Sequence, residues 1–249
     1  MDNLIYKEVV KVKASDADFN NRLRLTTFFN FMQDAASVHA DKLNVGFADL
    51  YKNNLFWVLS WLKLEIYSYP SFDETIHIET WPKGRNRLYA LRDFSFSSEN
   101  GNVICKAASA WLMLNAETKR IADAETHLSN IPFLEGKYAL NTLPGKIISN
   151  CEKKPVFKKI MNYSDVDLNK HVNNAKYIEL AMDSYSEEHY KSFVLKDVEV
   201  SFQSELKLGD EIEIRKCSDK LQDIIEGVNT ANGKTVFISK MNWEKIISE

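Results

Sequence analysis

The alternation of apolar and polar residues predicts the same order of elements in both halves of the chain. Over residues 5–13, Tyr6, Val9 and Val10 mix with lysines in a pattern typical of a strand. Apolar residues then recur every three or four positions over 26–45, as the buried face of a helix requires. Further strands are predicted at 55–67, 74–81, 87–98 and 103–115.

The second half repeats this order with a strand at 155–162 and a helix at 173–190. The strands that follow this helix are predicted at 195–204, 210–217, 222–229 and 234–245. An Asn-Gly pair precedes the final strand of each half, at 100–101 and 232–233, and glycine readily adopts the positive φ that a tight hairpin needs. Each half therefore predicts a helix together with an antiparallel sheet.

The two halves also align residue by residue, which indicates an internal duplication. Segment 15–22 matches segment 164–171 at an offset of 149 (164 minus 15), and both begin Ser-Asp-x-Asp-x-Asn. Residues 129–154 contain prolines, glycines and scattered lysines with little periodicity. We therefore predict an N-terminal domain at 1–128, a linker at 129–154 and a C-terminal domain at 155–249.

Composition and charge narrow the kinds of function. The 249 residues are 45% hydrophobic, and a net charge of −3 supplies no basic field that would argue for nucleic acid. The apolar run at 55–62 is too short to span a bilayer and the N-terminus does not read as a signal sequence, so we expect a cytoplasmic protein without membrane insertion. Cys105, Cys151 and Cys217 are scattered without metal-ligand spacing, so no disulfide, metal site or other cofactor is predicted.

Candidate chemistry lies just before the second predicted helix, where Asp167, Asn169 and His171 occupy alternate positions. Alternate side chains of an extended segment leave the same face, so a carboxylate, an amide and an imidazole would converge there to handle a proton and a carbonyl. Asp and Asn are also common turn and cap residues, and Asp18 and Asn20 hold the equivalent positions of the first copy. A structural role for Asp167 and Asn169 stays open beside a catalytic one.

Residues 167–177 resemble the signature of the acyl-acyl-carrier-protein thioesterases, the bacterial relatives of the plant plastid enzymes that release fatty acids. The resemblance in order and length covers nearly the whole chain. It implies an α+β fold, a tandem or double hot-dog in which each copy is a long helix wrapped by an antiparallel sheet. The implied activity is hydrolysis of a fatty acyl thioester by water.

Within this resemblance, Asp167, Asn169 and His171 match the family's catalytic loop, and Glu205 matches its acidic residue on the following strand. Plant members carry a cysteine directly after that glutamate. This chain has Leu206 instead, which implies a mechanism with a carboxylate and water and without a thiol nucleophile. Glu205 or Asp167 would act as the general base on water. His171 would orient that water or stabilise the oxyanion, and Asn169 would position the carbonyl or the nucleophile.

The first copy lacks this set of residues. Arg22 stands where the second copy has His171. Segments 72–76 and 208–212 align at an offset of 136 (208 minus 72), which places Tyr69 opposite the second copy's glutamate. One active site per chain is therefore predicted, in the C-terminal domain.

Substrate contacts are expected in both copies. Backbone N–H groups near Asn173 and Asn174 would complete an oxyanion site, because donors in the first turn of a helix lack internal partners. The resemblance implies that the N-terminal copy selects acyl chain length. Phe28, Phe31 and Met32 are therefore candidates for lining an acyl tunnel, although packing in the core is the simpler explanation of all three.

The implied partner is acyl carrier protein (ACP), which is acidic, so cations are expected near the mouth of the tunnel. Two basic clusters qualify, and ordinary solvated charge explains both of them equally well. They consist of Lys83, Arg85, Arg87 and Arg92, and of Lys153, Lys154, Lys158 and Lys159.

Three alternatives to an acyl-ACP thioesterase stay open. The nearest is an acyl-CoA thioesterase, which differs only in the donor of the acyl group. A hot-dog hydratase or dehydratase would act on a 3-hydroxyacyl chain and release no thiol, and a non-catalytic hot-dog protein would only sense acyl thioesters. The sequence also leaves open the acyl length and whether two chains form a homodimer.

Overall fold

The computed structural model describes residues 4–122, 129, 131–149 and 151–246. The chain divides into two compact units, Met1–Pro144 and Gly145–Glu249. Each unit contains five antiparallel strands and its own helices. Within the described ranges, no helix has the length and apolar character that crossing a membrane would require.

Unit 1 consists of a long helix, a short helix and five antiparallel strands in the order β1-β3-β4-β5-β2. Its elements are β1 (Tyr6–Lys11), α1 (Leu25–Lys42), α2 (Phe47–Lys52), β2 (Leu55–Ile66), β3 (Thr75–Asn86), β4 (Tyr89–Ser98) and β5 (Val103–Asn115). Buried residues of α1 recur every three or four positions, so this helix presents one apolar face to the core.

Unit 2 repeats this arrangement with strands in the order β6-β8-β9-β10-β7. Its elements are β6 (Lys154–Ile160), α3 (Asn174–Met182), α4 (Glu187–Ser192), β7 (Phe193–Phe202), β8 (Glu211–Asp219), β9 (Gln222–Asn229) and β10 (Thr235–Lys245). Strands that correspond in sequence hold corresponding places in the two sheets. The expected tandem hot-dog, an α+β fold, is therefore confirmed.

The duplication extends to individual backbone hydrogen bonds. The N–H of Leu23 donates to the carbonyl of Pro70 at 2.8 Å, and the N–H of Val172 donates to the carbonyl of Leu206 at 2.9 Å. The donors are related by the offset of 149 and the acceptors by the offset of 136, as in the sequence alignment. Both offsets therefore describe equivalent positions of the two units.

The helix predicted at 173–190 is wrong in extent, because α3 ends at Met182 and a separate helix follows. The hydroxyl of Ser184 donates to the carbonyl of Ala181 at 2.7 Å, and Ser186 caps α4 by accepting the N–H of His189 at 3.3 Å. Serine hydroxyls compete with the backbone hydrogen bonds that would continue a helix. Apolar periodicity alone did not reveal this interruption.

The prediction that no disulfide forms is also wrong. Cys151 and Cys217 are bonded to each other, whereas Cys105 is a free, buried thiol. The two bonded residues are 66 positions apart in sequence. They meet because Cys151 lies just before β6, and β6 pairs with β8, which contains Cys217. This proximity follows from strand pairing and has no local sequence pattern.

Residues 131–144 form a strap that packs on unit 1, although composition assigned them to a linker. The Lys83 ammonium lies 2.9 Å from Asp93 Oδ1 and donates to the carbonyl of Leu140 at 3.0 Å. The N–H of Ala139 donates to Asp93 Oδ2 at 2.7 Å. Burial raises the pKa of the Asp93 carboxyl, and the neighbouring Lys83 ammonium opposes that rise. A buried ion pair therefore holds the strap to its sheet.

Candidate active site

The loop before α3 is a tight turn closed by backbone hydrogen bonds. The N–H of Asp167 donates to the carbonyl of His171 at 2.9 Å, and the N–H of Lys170 donates back to the carbonyl of Asp167 at 3.0 Å. Val166 and Val172 pair as a short β-bridge on either side of the turn. These bonds fix the position from which the His171 side chain projects.

The equivalent turn in unit 1 has the same backbone bonds without the histidine. The N–H of Asp18 donates to the carbonyl of Arg22 at 2.8 Å, and the N–H of Asn21 donates to the carbonyl of Asp18 at 3.0 Å. The Asp18 carboxylate accepts the N–H of Asn20 at 2.8 Å. The turn is therefore a structural property of both copies, and its chemistry depends on the side chain at the position of His171.

His171 and Glu205 form the only contact between candidate catalytic side chains that the described residues show. His171 Nε2 lies 3.2 Å from Glu205 Oε2, and 43% of the glutamate side chain is exposed to solvent. The bond from Val172 N–H to the Leu206 carbonyl holds the two segments side by side. An exposed carboxylate beside an imidazole can accept a proton from a water molecule and pass it on.

Tyr177 supports the backbone of the segment that carries Glu205. Its hydroxyl accepts the N–H of Leu206 at 3.1 Å, and its ring stacks on Phe237 with 5.6 Å between centroids. Burial raises the pKa of this phenol well above its ordinary value. The sequence analysis assigned Tyr177 no role, although its place at the end of the matched motif, residues 167–177, was an available signal for a positioning role.

Asp167 and Asn169 occupy the turn in different ways. The Asp167 carboxylate accepts the N–H of Asn169 at 2.8 Å, just as Asp18 accepts the N–H of Asn20 in unit 1. The side-chain amide of Asn169 is exposed and has no hydrogen-bond partner in the part of the chain that the structure describes. The carboxylate is thus engaged in holding the turn, and the amide is free to meet a ligand.

The two asparagines at the start of α3 differ in whether their backbone N–H has an acceptor. The N–H of Asn173 donates to the carbonyl of Asp165 at 3.0 Å, and the Asn173 side chain caps the helix by accepting the N–H of Ala175 at 2.8 Å. The N–H of Asn174 has no acceptor among the described residues. Of these two asparagines, Asn174 is therefore the one whose backbone N–H remains for an oxyanion.

The three tunnel candidates lie on α1 in unit 1. Phe28 is fully buried, with its ring centroid 6.0 Å from that of Tyr69 and 5.9 Å from that of Phe96. Met32 is also buried, whereas Phe31 is partly exposed. Phe28 and Met32 therefore pack in the core, and Phe31 is the member of this group with accessible surface.

Five of the eight cations in the two predicted basic clusters have partners within their own unit. Lys83 is buried against Asp93, and Arg92 donates to His39 Nδ1 at 2.9 Å, where burial lowers the pKa of its guanidinium to about 10. In the second cluster, Lys159 pairs with Asp165 at 2.9 Å. Lys153 and Lys158 also pair with glutamates, whereas Arg85, Arg87 and Lys154 are exposed. No group of three or more metal-ligating side chains occurs among the described residues.

Family models match both units of the chain. The acyl-ACP thioesterase N-terminal domain matches residues 3–131, and the acyl-ACP thioesterase C-terminal domain matches residues 148–245. The chain belongs to the acyl-ACP thioesterase family. The order of the two domains corresponds to the order of units 1 and 2.

Relatives in this family include plant and bacterial proteins. Oleoyl-acyl carrier protein thioesterase 2 of Arabidopsis thaliana is 27% identical, with 94% of this chain and 68% of the relative aligned. For the thioesterase of Coriandrum sativum the identity is 27%, and the chain spans 62% of that protein's length. An acyl-ACP thioesterase from Bacteroides thetaiotaomicron is 29% identical and superimposes with a TM-score of 0.88 over 98% of this chain and 99% of that one. The 12:0-ACP thioesterase of Umbellularia californica shares the fold, with a TM-score of 0.84, 16% identity and 98% of each chain covered.

The residue after Glu205 is Leu206 in this chain, whereas plant members of the family have a cysteine there. Leu206 is fully buried, so a side chain at this position points into the core of unit 2 and away from solvent. We expect Leu206→Cys to produce a buried thiol that labels with iodoacetamide at least about tenfold more slowly in folded than in unfolded protein. Lost packing should lower the free energy of unfolding by about 1–3 kcal/mol. Labelling followed by mass spectrometry measures the first effect and urea titration the second.

The double variant Leu206→Cys/Glu205→Gln tests whether such a thiol can replace the carboxylate. We expect it to be as inactive as Glu205→Gln alone. The wild-type protein is the labelling control, because its free thiol at Cys105 is buried and its other cysteines are bonded to each other. Recovery of turnover in the double variant would show that position 206 does reach the substrate.

Proposed function

We propose that this chain hydrolyses the thioester of a fatty acyl-ACP to a free fatty acid and holo-ACP. The observation that carries the proposal is the contact between His171 and Glu205, which unit 2 has and unit 1 lacks. Unit 1 retains the same turn with Arg22 and Tyr69 at the equivalent positions. We therefore assign one active site to each chain, in unit 2.

Glu205 is the stronger candidate for the general base. Its carboxylate is partly exposed and contacts His171, whereas the Asp167 carboxylate already accepts a backbone N–H of the turn. In the proposed reaction, Glu205 removes a proton from water as the water oxygen attacks the thioester carbon. The carbon–sulfur bond then breaks as the carbonyl re-forms, and the departing thiolate takes the proton back through the His171 and Glu205 pair.

Stabilisation of the oxyanion is assigned to donors on either side of His171. The amide of Asn169 and the backbone N–H of Asn174 have no partners among the described residues, so both are available to hold the carbonyl oxygen. Fixed donors of this kind contribute most when charge develops on that oxygen. Asp167 has a positioning role, because it holds the turn that presents Asn169.

Selection of the acyl chain is assigned to unit 1 by the family resemblance. Within α1, the partly exposed Phe31 is the candidate to contact the chain, and the buried Phe28 and Met32 support it from the core. The pair of His171 and Glu205 is assigned to the thioester end of the substrate, so a direct comparison of acyl-ACP with acyl-CoA tests the donor.

The proposal is tested by measuring thiol release from a series of acyl-ACPs of medium to long chain, beside the matching acyl-CoAs. We expect faster release from acyl-ACP, with one chain length preferred, and loss of release in Glu205→Gln. Equal or faster release from acyl-CoA would assign the acyl-CoA thioesterase reaction instead. No thiol release, with a new enoyl or 3-hydroxyacyl product in mass spectrometry, would assign the hydratase or dehydratase reaction.

A further inference from the structure

Two exposed leucines and two lysines border the candidate active site. Leu168 and Lys170 lie in the turn that carries His171, and Lys207 and Leu208 follow directly after the Glu205 segment. We call these four residues the rim. Leu168 is 78% exposed and Leu208 is 61% exposed. Large apolar residues that stand in solvent beside a reaction site are typical of a surface that another protein covers.

The two rim lysines have no carboxylate partner. No Asp or Glu oxygen lies within 4.0 Å of the ammonium group of Lys170 or Lys207 among the residues that the structure describes. Several other lysines of unit 2 are paired, including Lys159 with Asp165 and Lys176 with Glu179, both at 2.9 Å, whereas Lys220 and Lys245 also have no carboxylate within 4.0 Å among the described residues. The positive charge of the rim is therefore available to an external anionic group.

Unit 1 keeps the apolar part of the rim. Phe19 occupies the position of Leu168, and Phe72 occupies the position of Leu208. Both phenylalanines are exposed, as the leucines are. The N–H of Phe72 donates to the Asn21 side chain at 3.1 Å, which shows that the two segments of this rim lie next to each other. Exposed apolar residues at these two positions are therefore common to both units.

Unit 1 lacks the charged part. Asn21 stands at the position of Lys170, and Ser71 stands at the position of Lys207. At these two positions a cation occurs only in the copy that carries the candidate catalytic pair, whereas the cation of the unit 1 turn is Arg22, at the position of His171. A charge needed only for folding of the turn would be expected in both copies, because the turn has the same backbone bonds in both.

The backbone conformation of Lys170 strengthens this contrast. Its φ is 63°, and the φ of Asn21 is 57°, so both residues are in the left-handed region. Asparagine adopts that region readily, whereas lysine does so at a conformational cost. Unit 2 therefore has a lysine where asparagine would suit the turn better. Lys220, at the other end of the sheet, is also left-handed with a φ of 55°, so its exchange for asparagine relieves the same strain in a control variant.

We propose that the rim is the docking surface for the acidic face of ACP, which delivers the thioester to His171 and Glu205. This inference rests on the proposed function and adds the residues that receive the carrier. Lys170 and Lys207 attract the carboxylates of the carrier, and Leu168 and Leu208 form apolar contacts once it has docked. Charged groups at such an edge act chiefly on the rate of encounter and on its salt dependence.

The test exchanges the two lysines for the residues that unit 1 has at the same positions, giving Lys170→Asn/Lys207→Ser. The unit 1 turn shows that these residues are compatible with the backbone. Substrates with the same acyl chain are compared as acyl-ACP, acyl-CoA and the N-acetylcysteamine thioester. We expect the kcat/KM for acyl-ACP, divided by that for the N-acetylcysteamine thioester, to fall about tenfold at low ionic strength. The salt dependence of the reaction with acyl-ACP should become shallower.

A matched control removes the same charge from the other end of the sheet, in Lys220→Asn/Lys245→Ser. Lys220 follows β8 and Lys245 ends β10, while Lys207 precedes β8, and a strand of this length separates its two ends by about 30 Å. We expect this control to keep the wild-type ratio and salt dependence. The comparison separates the effect of position from that of net charge.

Three results would overturn the inference. An unchanged ratio in Lys170→Asn/Lys207→Ser would mean that the carrier docks elsewhere. An equal fall for acyl-ACP and acyl-CoA would mean that the lysines bind the phosphate of the pantetheine arm that both substrates share. An equal fall for all three substrates would place the lysines in the reaction site itself.

Direct binding keeps this inference separate from the proposed function. Apo-ACP is titrated against wild type and both double variants at low salt, with no hydrolysis required. We expect about tenfold weaker binding in Lys170→Asn/Lys207→Ser only. A wild type that hydrolyses no thioester but shows this loss would refute the function and keep the surface. A wild type that does not bind the carrier would refute the surface even if small thioesters are hydrolysed.

Discussion

Replacement of Glu205 by glutamine is expected to lower kcat for acyl-ACP hydrolysis by about two to four orders of magnitude, because the amide cannot take a proton from water. The fold should persist, since the glutamate side chain is 43% exposed and its one polar contact among the described residues is with His171. We expect the Tm to change by less than about 3 °C, as for other surface substitutions. Initial rates of thiol release measure the first effect, and a thermal scan measures the second.

The matched control is Glu179→Gln. Glu179 pairs with Lys176 in unit 2, and its side chain is 42% exposed. It therefore matches Glu205 in exposure and in having a basic partner, but it lies outside the candidate active site. We expect its kcat to stay within about twofold of wild type because exposed ion pairs contribute little. A similar loss in both variants would point to general destabilisation of unit 2. Full activity in Glu205→Gln would remove this residue from the mechanism and direct attention to Asp167.

The second large effect is expected in unit 1, where Lys83→Met should lower the free energy of unfolding by about 3–5 kcal/mol. The substitution leaves the buried Asp93 carboxylate without its counter-charge, and the carbonyls of Leu140 and Thr142 lose the ammonium that now donates to them. Burial raises the pKa of Asp93 already in the wild type, so the variant carboxyl should protonate more readily. Urea titration followed by tryptophan fluorescence measures the loss.

The control for this prediction is Lys11→Met. Lys11 pairs with Asp73 at 2.8 Å, but both side chains are exposed, so we expect a loss below about 1 kcal/mol. The double variant Lys83→Met/Asp93→Asn should recover part of the stability because it removes the uncompensated carboxylate. A loss as small as that of Lys11→Met would mean that water reaches the Lys83 site.

Periodicity predicted the order of helices and strands, whereas the candidate site had to be located from a motif and from the family resemblance. Alternating apolar residues are set by the local geometry of strands and helices, so most elements and the tandem order could be predicted. The family resemblance located Glu205, and the offset of 136 then placed Tyr69 opposite it in unit 1, where the structure has the equivalent backbone bonds. The contact with His171 agrees with that placement, and its catalytic role remains a prediction.

Other features could not be predicted because they depend on contacts between distant segments. The bond between Cys151 and Cys217 requires the pairing of β6 with β8, which no local pattern encodes. The burial of Lys83 and Arg92 depends on neighbours contributed by other segments, such as Leu140 and His39. Charged side chains in a predicted strand are normally expected to be exposed to solvent.

The strap determines where this chain can be recombined with a relative. Composition placed the end of the first domain at residue 128, yet residues 131–144 supply hydrogen-bond partners to Trp81, Lys83 and Asp93. A chimera that joins foreign sequence after residue 128 would separate the buried ion pair from the segment that it holds. A crossover after Pro144 keeps these partners within one parent. A chimera that tests the proposed role of unit 1 in acyl-chain selection should therefore exchange residues 1–144, with the strap included.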